Sequence, residues 1–263
     1  MLVFSAIAPH SPLLIPTIGK EHSDALSHTL EAYRTLEEHL YATKPDTLVL
    51  ISSHAAYYPD GFSCNIAPSY TGSLKEFGDH GTTVTAKGDS LFIDHLHRHL
   101  RETSIPFSLM SEEKLDYGMT ISLHFLLSHL PNVKIVPLSI SGLSNEEHAK
   151  FGAEVMQLIH DDTRRIAFFA AADLSHHAND RSPQGANPAG PVFEQAVKTA
   201  IEQVNPASIL ALTPQVLTDA AQCAAQPIST LLGAIQKMHV NPKILCYEAP
   251  FGVGMLTAEF ELV

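Results

Sequence analysis

The stretch Thr47-Leu48-Val49-Leu50-Ile51-Ser52-Ser53-His54 is a short apolar run that ends in a histidine. A run of this length, rich in aliphatic residues, is typical of a strand that is buried on both faces of a parallel sheet. The chain repeats this arrangement of a strand-like run followed by a residue with chemical function. Three further runs have this form, at residues 2–9, 165–172 and 244–247, and they precede His10, Asp173 and Glu248.

Helical patterns separate these strand-like runs. Residues 23–42 place leucines and one tyrosine at steps of three or four, as one face of a helix requires. Ser144 and Glu147 have the spacing of a capping box at the start of another helix. Strands that alternate with helices predict an α/β fold with a mostly parallel central sheet and helices on both faces. We find no internal repeat and no clear linker, so we predict one domain over residues 1–263.

The composition excludes several classes of partner. The formal net charge of −12 argues against nucleic acid or an anionic membrane surface as the main partner. No apolar stretch approaches the ~18 residues of a membrane span. Cys64, Cys223 and Cys246 are scattered and form no CxxC pair, which predicts reduced thiols and a cytoplasmic setting. The sequence leaves open whether the protein is a homo-oligomer.

The strand-end residues predict a metal site. In open α/β sheets, ligand sites form in the crevice beyond the carboxyl ends of the parallel strands. Two imidazoles and one carboxylate in that crevice would match the facial triad of non-haem Fe(II) oxygenases. We therefore predict that His10, His54 and Glu248 converge on one divalent metal ion. Ordinary alternatives are hydrogen-bonded loop histidines and, for Glu248, a capped or surface-facing strand residue.

The segment after residue 172 predicts acid/base chemistry. His176 lies a few residues past a strand end, and imidazole titrates near neutral pH, as proton transfer requires. Asp173 is expected to orient His176 or a metal ligand, with an Asx turn as the alternative. Residues 173–190 are polar and rich in Pro and Gly, which predicts a functional loop or lid.

Taken together, several of these segments resemble the class III extradiol dioxygenase superfamily, typified by the catalytic subunit of protocatechuate 4,5-dioxygenase. The nearest likeness is to its Memo-like branch, which is found beside AMMECR-type and radical SAM proteins. The segments that carry the resemblance are Ala8-Pro9-His10-Ser11-Pro12-Leu13-Leu14-Ile15-Pro16, Ile51-Ser52-Ser53-His54, Leu115-Asp116-Tyr117-Gly118, Asp173-Leu174-Ser175-His176 and Tyr247-Glu248-Ala249-Pro250-Phe251-Gly252.

The resemblance implies roles for individual residues. It implies Fe(II) ligation by His10, His54 and Glu248, with zinc or another divalent metal as an alternative occupant, and it makes His176 the catalytic histidine. Members that cleave catechols often have Asp-His-Gly where this chain has Tyr117 in the middle position. Tyr117 can donate a hydrogen bond, but it is no base at neutral pH.

Three functions follow as hypotheses. The leading one is a non-haem Fe(II) ring-cleaving dioxygenase that acts on a small catechol-type aromatic substrate and dioxygen. The alternatives are a Memo-like metal-binding protein without dioxygenase activity and a metal-dependent hydrolase in which His176 activates water. The resemblance also implies an AMMECR-type protein as a partner.

Overall fold

The computed structural model describes residues 1–263 as ten strands and nine α-helices with three short 3₁₀ helices. The strands are β1 Leu2–Ala8, β2 Thr47–Ser52, β3 Phe62–Asn65, β4 Ser69–Ser73, β5 Thr83–Gly88, β6 Phe107–Met110, β7 Lys134–Ser139, β8 Ile166–Ala171, β9 Val240–Glu248 and β10 Met255–Leu262. The helices are α1 Pro16–Gly19, α2 Ser27–Thr43, α3 Ser90–Arg101, α4 Tyr117–Leu126, α5 Asn145–Asp161, α6 Ala189–Glu202, α7 Ala207–Leu210, α8 Pro214–Asp219 and α9 Ala225–Ile235.

The strands form one sheet in the order β4-β5-β7-β2-β8-β1-β10-β9, and β3 joins it by pairing with β7 and β6. The five central strands β5, β7, β2, β8 and β1 run parallel. The last two strands, β10 and β9, form an antiparallel pair outside β1. This arrangement confirms the predicted α/β class with a mostly parallel sheet.

Alternate residues of the central strands face two separate buried clusters. In β2, Val49 and Ile51 face the cluster beneath α3, α5, α6 and α9, whereas Leu48 and Leu50 face the cluster beneath α2 and α4. All six β2 residues are buried, because helices cover both faces of the strand. The helices therefore lie on both faces of the sheet, as the alternation of patterns predicted.

Local signals in the sequence also match. The capping box at the start of α5 is present, with reciprocal hydrogen bonds between Ser144 and Glu147. The predicted helix over residues 23–42 begins later as α2, after a 3₁₀ segment at Lys20–Leu26. None of the helices combines the length and apolar character that crossing a bilayer requires.

Candidate metal centre

The register of the central sheet brings three functional residues to one place. Ala8 of β1 pairs with Ala171 of β8, which in turn pairs with Ser52 of β2, so the three strands end at the same level. Each strand is followed, two residues after its aligned position, by a residue with an ionisable or metal-binding side chain. These residues are His10, Asp173 and His54.

The two imidazoles meet directly. The Nε2 atoms of His10 and His54 lie 2.9 Å apart, and the rings are nearly perpendicular at 82°. The hydroxyl of Tyr117 lies 2.8 Å from the same His54 Nε2, and its ring stacks on the His54 ring with centroids 4.3 Å apart. A ring nitrogen has one proton or one lone pair. His54 Nε2 therefore cannot form a full hydrogen bond with both His10 Nε2 and the Tyr117 hydroxyl. The polar atoms of His10 and Tyr117 both lie within hydrogen-bond distance of His54 Nε2, so three polar side chains meet around it.

Cys223 is the third metal-ligating side chain at this place. Its Sγ lies 3.7 Å from His10 Nε2, and the thiol donates to the carbonyl of Asp173 at 3.3 Å. The ligand atoms of His10, His54 and Cys223 all lie within 4.8 Å of one another. Two nitrogen ligands bound to one zinc ion at ~2.0–2.1 Å with tetrahedral angles would be roughly 3.3 Å apart, close to the observed separation of the two Nε2 atoms. The donor set therefore fits a single metal ion.

The segment that carries Cys223 is fixed by its neighbours. It connects α8 to α9, and Ala221 has a left-handed backbone with φ 47°. The Ser175 hydroxyl and the His176 amide both donate to the carbonyl of Ala220. The Gln222 side chain accepts from the first amides of α9. A strained backbone held by several hydrogen bonds is typical of a functional position.

The structure does not bring Glu248 to the imidazoles, which corrects its predicted placement. Glu248 does lie at the same edge of the sheet, but β10 separates β9 from β1. Two strand spacings amount to about 10 Å. The Glu248 Oε1 accepts from the Thr29 amide at 2.9 Å and from the Thr29 hydroxyl at 2.5 Å. Thr29 lies in the first turn of α2, whose N-cap residue Leu26 provides no side-chain cap. Glu248 therefore caps α2 from a distant strand.

Replacing Glu248 with Ala is expected to destabilise the protein without removing metal. Loss of a helix cap costs about 0.5–2 kcal/mol, and urea unfolding of the metal-free protein measures it. Glu248→Gln keeps one acceptor oxygen and should lose less. A Glu248→Ala protein of unchanged stability that no longer binds metal would show that the carboxylate is a ligand after all.

Burial sets the protonation of the three donors. Burial lowers the pKa of His10 to about 3, with the nearby His176 acting in the same direction. Burial and then His10 lower the pKa of His54 to about 4. Both imidazoles are therefore neutral at pH 7 and can bind metal. Burial, followed by the Asp173 charge, raises the pKa of the Cys223 thiol to about 12.

These pKa values predict how metal affinity depends on pH. Above neutral pH no imidazole proton has to leave when metal binds, whereas the Cys223 thiol must lose its proton. One proton is released per ion, so we expect the association constant to rise about tenfold per pH unit between about pH 7 and 9. Competition with a chromophoric chelator at several pH values measures the slope. A slope near zero in the wild type would exclude thiolate ligation, and Cys223→Ser should give that slope.

Asp173 contacts two of the three proposed metal ligands, His10 and Cys223. Its Oδ1 accepts from the His10 amide at 2.9 Å, its Oδ2 lies 3.9 Å from His10 Nε2, and its carbonyl accepts from Cys223. Burial raises the pKa of Asp173, and the His10 amide opposes this shift. The carboxyl group therefore lies beside the cluster and fixes the backbone that carries His10.

His176 lies close enough to His10 and His54 to interact with both electrostatically. Its charge lowers the pKa of both His10 and His54. Its Nε2 is buried and has no hydrogen-bond partner within the protein. The backbone of this residue is fixed by its amide, which donates to Ala220, and by its carbonyl, which accepts from the Ser182 hydroxyl. The backbone of His176 is thus fixed beside the cluster, and Nε2 has no hydrogen-bond partner within the protein.

Asp116 connects His54 to Tyr117. Its Oδ1 caps α4 by accepting from the Met119 amide at 3.0 Å, and it also accepts from the Ser52 hydroxyl at 2.8 Å. The Ser52 oxygen in turn accepts from the His54 amide at 3.2 Å. Because Tyr117 is the first residue of α4, one carboxylate fixes the backbone of both His54 and Tyr117.

The absence of a side chain at Gly118, in the same segment, is explained by how closely Ser52 approaches its backbone. A Cβ atom there would lie 2.8 Å from the Ser52 hydroxyl oxygen and 3.5 Å from Cγ of His10. A side chain at this position would therefore press on the hydroxyl that holds His54, and its Cβ would also be in van der Waals contact with the His10 ring. Only the family resemblance, and no local pattern in the sequence, indicates that the segment around Asp116 has a functional role.

The segment after Asp173 packs against the connection between β9 and β10. The Leu174 amide donates to the carbonyl of Gly254, and the Gly254 amide donates to the carbonyl of Ser175. Further along, the Ala178 amide donates to Gly252 and the Asn179 side chain donates to Ala249. This packing fixes the start of the segment next to the cluster. A lid over residues 173–190 stays a prediction, which hydrogen exchange with and without ligand would test.

Comparison with known proteins agrees with this geometry. A family model described as the catalytic LigB subunit of aromatic ring-opening dioxygenase matches residues 5–258. The chain belongs to this family. The predicted membership of the class III extradiol superfamily is thereby confirmed, and members of the LigB family use a non-haem metal.

Two individual relatives extend the comparison. Protein CA_C1420 of Clostridium acetobutylicum is 23% identical over 257 residues, covering 94% of this chain and 55% of that protein. This LigB-family chain therefore spans about half the length of that relative. The crystal structure of uncharacterized protein JW3007 from Escherichia coli K12 superposes with a TM-score of 0.69 at 16% identity, covering 98% of this chain and 99% of the other. At that identity the likeness shows the fold alone.

Proposed function

We propose that this protein is a mononuclear non-haem metal enzyme that opens the ring of a small catechol-type substrate with dioxygen. The observation that carries the proposal is the convergence of His10, His54 and Cys223 within 4.8 Å. Asp173 and His176 lie beside them at the strand ends where α/β enzymes place their sites. Membership of the LigB family supports the proposed reaction class.

The proposed metal ligands are His10, His54 and Cys223. When bound, the metal ion would hold both reactants and stabilise negative charge on their oxygens. Fe(II) is the proposed native ion on the strength of the family. A thiolate is a softer donor than the carboxylate of the usual facial triad, so zinc and copper are expected to compete well for this site.

His176 is the proposed acid/base residue. Its buried Nε2 has no protein partner and is available to take a proton from a substrate hydroxyl and to return it during ring opening. Asp173 positions His10 through its backbone amide. Tyr117 is the proposed donor of a hydrogen bond to a substrate oxygen. Burial raises the pKa of Tyr117, so its phenol keeps its proton.

A second candidate function is metal binding without ring cleavage. Two observations favour it: the thiol of Cys223 takes the place of a carboxylate, and Tyr117 stands where catechol-cleaving members often have a histidine. A Zn²⁺-dependent hydrolase would use the same donors, with His176 activating water. An AMMECR-type protein partner and a cytoplasmic setting are proposed on the family resemblance and the three free cysteines.

Oxygen uptake tests the proposal. The protein is purified anaerobically, loaded with one equivalent of Fe(II), and supplied with a panel of substituted catechols in an oxygen electrode. We expect one dioxygen consumed per catechol opened, and none with His54→Ala, which lacks a ligand. Full Fe(II) occupancy with no oxygen uptake across the panel would contradict the proposal and favour metal binding alone. Ester cleavage by the zinc-loaded protein would favour a hydrolase.

A further inference from the structure

The peptide group that joins Pro9 to His10 is held from both sides. Its carbonyl oxygen, which belongs to Pro9, accepts from the Tyr33 hydroxyl at 2.5 Å. Its N–H, which belongs to His10, donates to Asp173 Oδ1 at 2.9 Å. The two partners come from distant parts of the chain, α2 and the segment after β8. Because a peptide group is planar and rigid, two such bonds on opposite sides fix its orientation.

No regular secondary structure holds this part of the chain. β1 ends at Ala8 and the next 3₁₀ helix spans Pro12–Leu14, so residues 9–11 belong to neither. The Pro9 carbonyl has no other donor within the protein. All three residues are buried, so water does not readily replace a lost bond. The orientation of the peptide therefore depends on the two side chains that bond to it.

The direction of the His10 ring depends on this peptide more than is usual for a metal ligand. Metal-binding histidines usually donate their second ring nitrogen to a carbonyl or a carboxylate, which sets the direction of the ring. In His10 that nitrogen is Nδ1, which is buried without a well-formed hydrogen bond. The nearby Ala171 carbonyl only opposes the lowering of the pKa of His10 that burial causes. A rotation of the Pro9–His10 peptide would therefore displace the ring and its Nε2.

The surroundings of Tyr33 make its hydroxyl a fixed donor. Tyr33 is 1% exposed, and its ring packs on Phe125 of α4 with the centroids 4.7 Å apart. Both helices lie on the same face of the sheet, over the same buried cluster. Burial raises the pKa of Tyr33, so the hydroxyl keeps its proton. The periodicity of residues 23–42 explains Tyr33 only as a core residue, and a core residue needs no hydroxyl.

We propose that Tyr33 is a positioning residue of the metal centre, which holds the Pro9–His10 peptide against Asp173 and so directs His10 Nε2 towards the ion. The inference rests on the proposed ligation of metal by His10. It goes further, because it assigns part of the metal affinity to a hydroxyl on α2 that bonds to the backbone and to none of the ligand atoms.

Tyr33→Phe removes the hydroxyl and keeps the ring. Tyr70→Phe is the matched control, because Tyr70 is also 1% exposed and its hydroxyl donates to the Asn65 carbonyl at 2.6 Å. Each variant loses one buried hydrogen bond, so we expect the urea midpoints of the two metal-free proteins to fall by similar amounts. Chelator competition should show zinc affinity about 10–100-fold lower in Tyr33→Phe, the usual effect of losing a group that supports a ligand. Tyr70→Phe should stay within about twofold of the wild type.

Two further measurements separate positioning from stability. In cobalt-loaded protein, Tyr33→Phe should alter the ligand-field absorption bands, because one imidazole is misaligned, whereas Tyr70→Phe should leave these bands unchanged. In metal-free protein, Tyr33→Phe should speed hydrogen exchange of the His10 amide more than exchange of a core amide such as that of Leu50 in β2. Tyr70→Phe should speed exchange of these two amides by the same factor.

Equal zinc affinities for Tyr33→Phe and Tyr70→Phe would overturn the inference. If both were lowered, the loss would follow stability, and if both were unchanged, the Tyr33 hydroxyl would have no effect on the site. Exchange of the His10 amide that rises no more than that of Leu50 in Tyr33→Phe would be equally contrary. The exchange measurement needs neither a metal ion nor oxygen uptake, so failure of this inference and failure of the proposed reaction can be told apart.

Discussion

Replacing Cys223 with Ser is expected to lower the affinity for metal by about 10²-fold or more while leaving the fold intact. Loss of a group that merely supports a ligand costs about 10–100-fold, and loss of the ligand itself should exceed that. The fold should survive, because the thiol of Cys223 makes only weak hydrogen bonds, with the Asp173 carbonyl and with His10 Nε2. A serine hydroxyl can form both. Chelator competition measures the affinity, and circular dichroism and urea unfolding verify the fold.

Cys246→Ser is the matched control for this change. Cys246 is also a free, partly buried thiol, but it lies on β9 and contacts Thr29 rather than the cluster. We expect metal affinity within about twofold of the wild type for this variant, in line with the small effects of changes remote from a site. If Cys223→Ser bound metal as tightly as Cys246→Ser, the thiol would not be a ligand.

Replacing His176 with Ala is expected to reduce turnover by about 10²–10⁴-fold, the usual contribution of a general acid or base. Metal content should remain near that of the wild type, because the ring nitrogen of His176 is not among the atoms that converge with His10 and His54. Oxygen uptake and metal analysis on the same preparation separate the two effects.

His177→Ala is the control for His176→Ala. His177 is the next residue, but its Nδ1 bonds the carbonyl of Gly185 within the loop. Its removal should leave turnover nearly unchanged. A His176→Ala protein that loses metal as completely as His10→Ala would make His176 a ligand. Full turnover by His176→Ala would remove its acid/base role.

The strand-end residues could be predicted because their signal is local. A buried apolar run that ends in His10, His54 or Asp173 marks a strand terminus, and parallel strands necessarily end at the same edge of a sheet. In the structure, Ala8, Ala171 and Ser52 are aligned across the sheet, so the residues that follow them lie at the same edge.

The lateral order of strands could not be predicted, and Glu248 shows the consequence. Periodicity indicates that residues 244–248 form a strand, but it does not indicate that β10 lies between β9 and β1. That order depends on which edges pair after the helices have packed. One intervening strand moves the carboxylate from the imidazoles to the first turn of α2.

Cys223 lacked any signal in the sequence. It follows no apolar strand, has no partner cysteine at a metal-binding spacing, and lies in a connection between two helices that tertiary contacts fix in place. The same holds for the bond from Asp116 to Ser52, which joins residues 64 positions apart. Contacts of this kind arise from tertiary packing rather than from local pattern.

X-ray absorption at the metal edge tests the central claim most directly. The wild-type protein is loaded with one equivalent of zinc, and the scattering atoms around the ion are counted. We expect one sulfur at ~2.3 Å and two imidazole nitrogens at ~2.0–2.1 Å, and loss of the sulfur in Cys223→Ser. A wild-type spectrum with only nitrogen and oxygen neighbours, unchanged by Cys223→Ser and altered by Glu248→Ala, would contradict the assignment of His10, His54 and Cys223 as the metal centre.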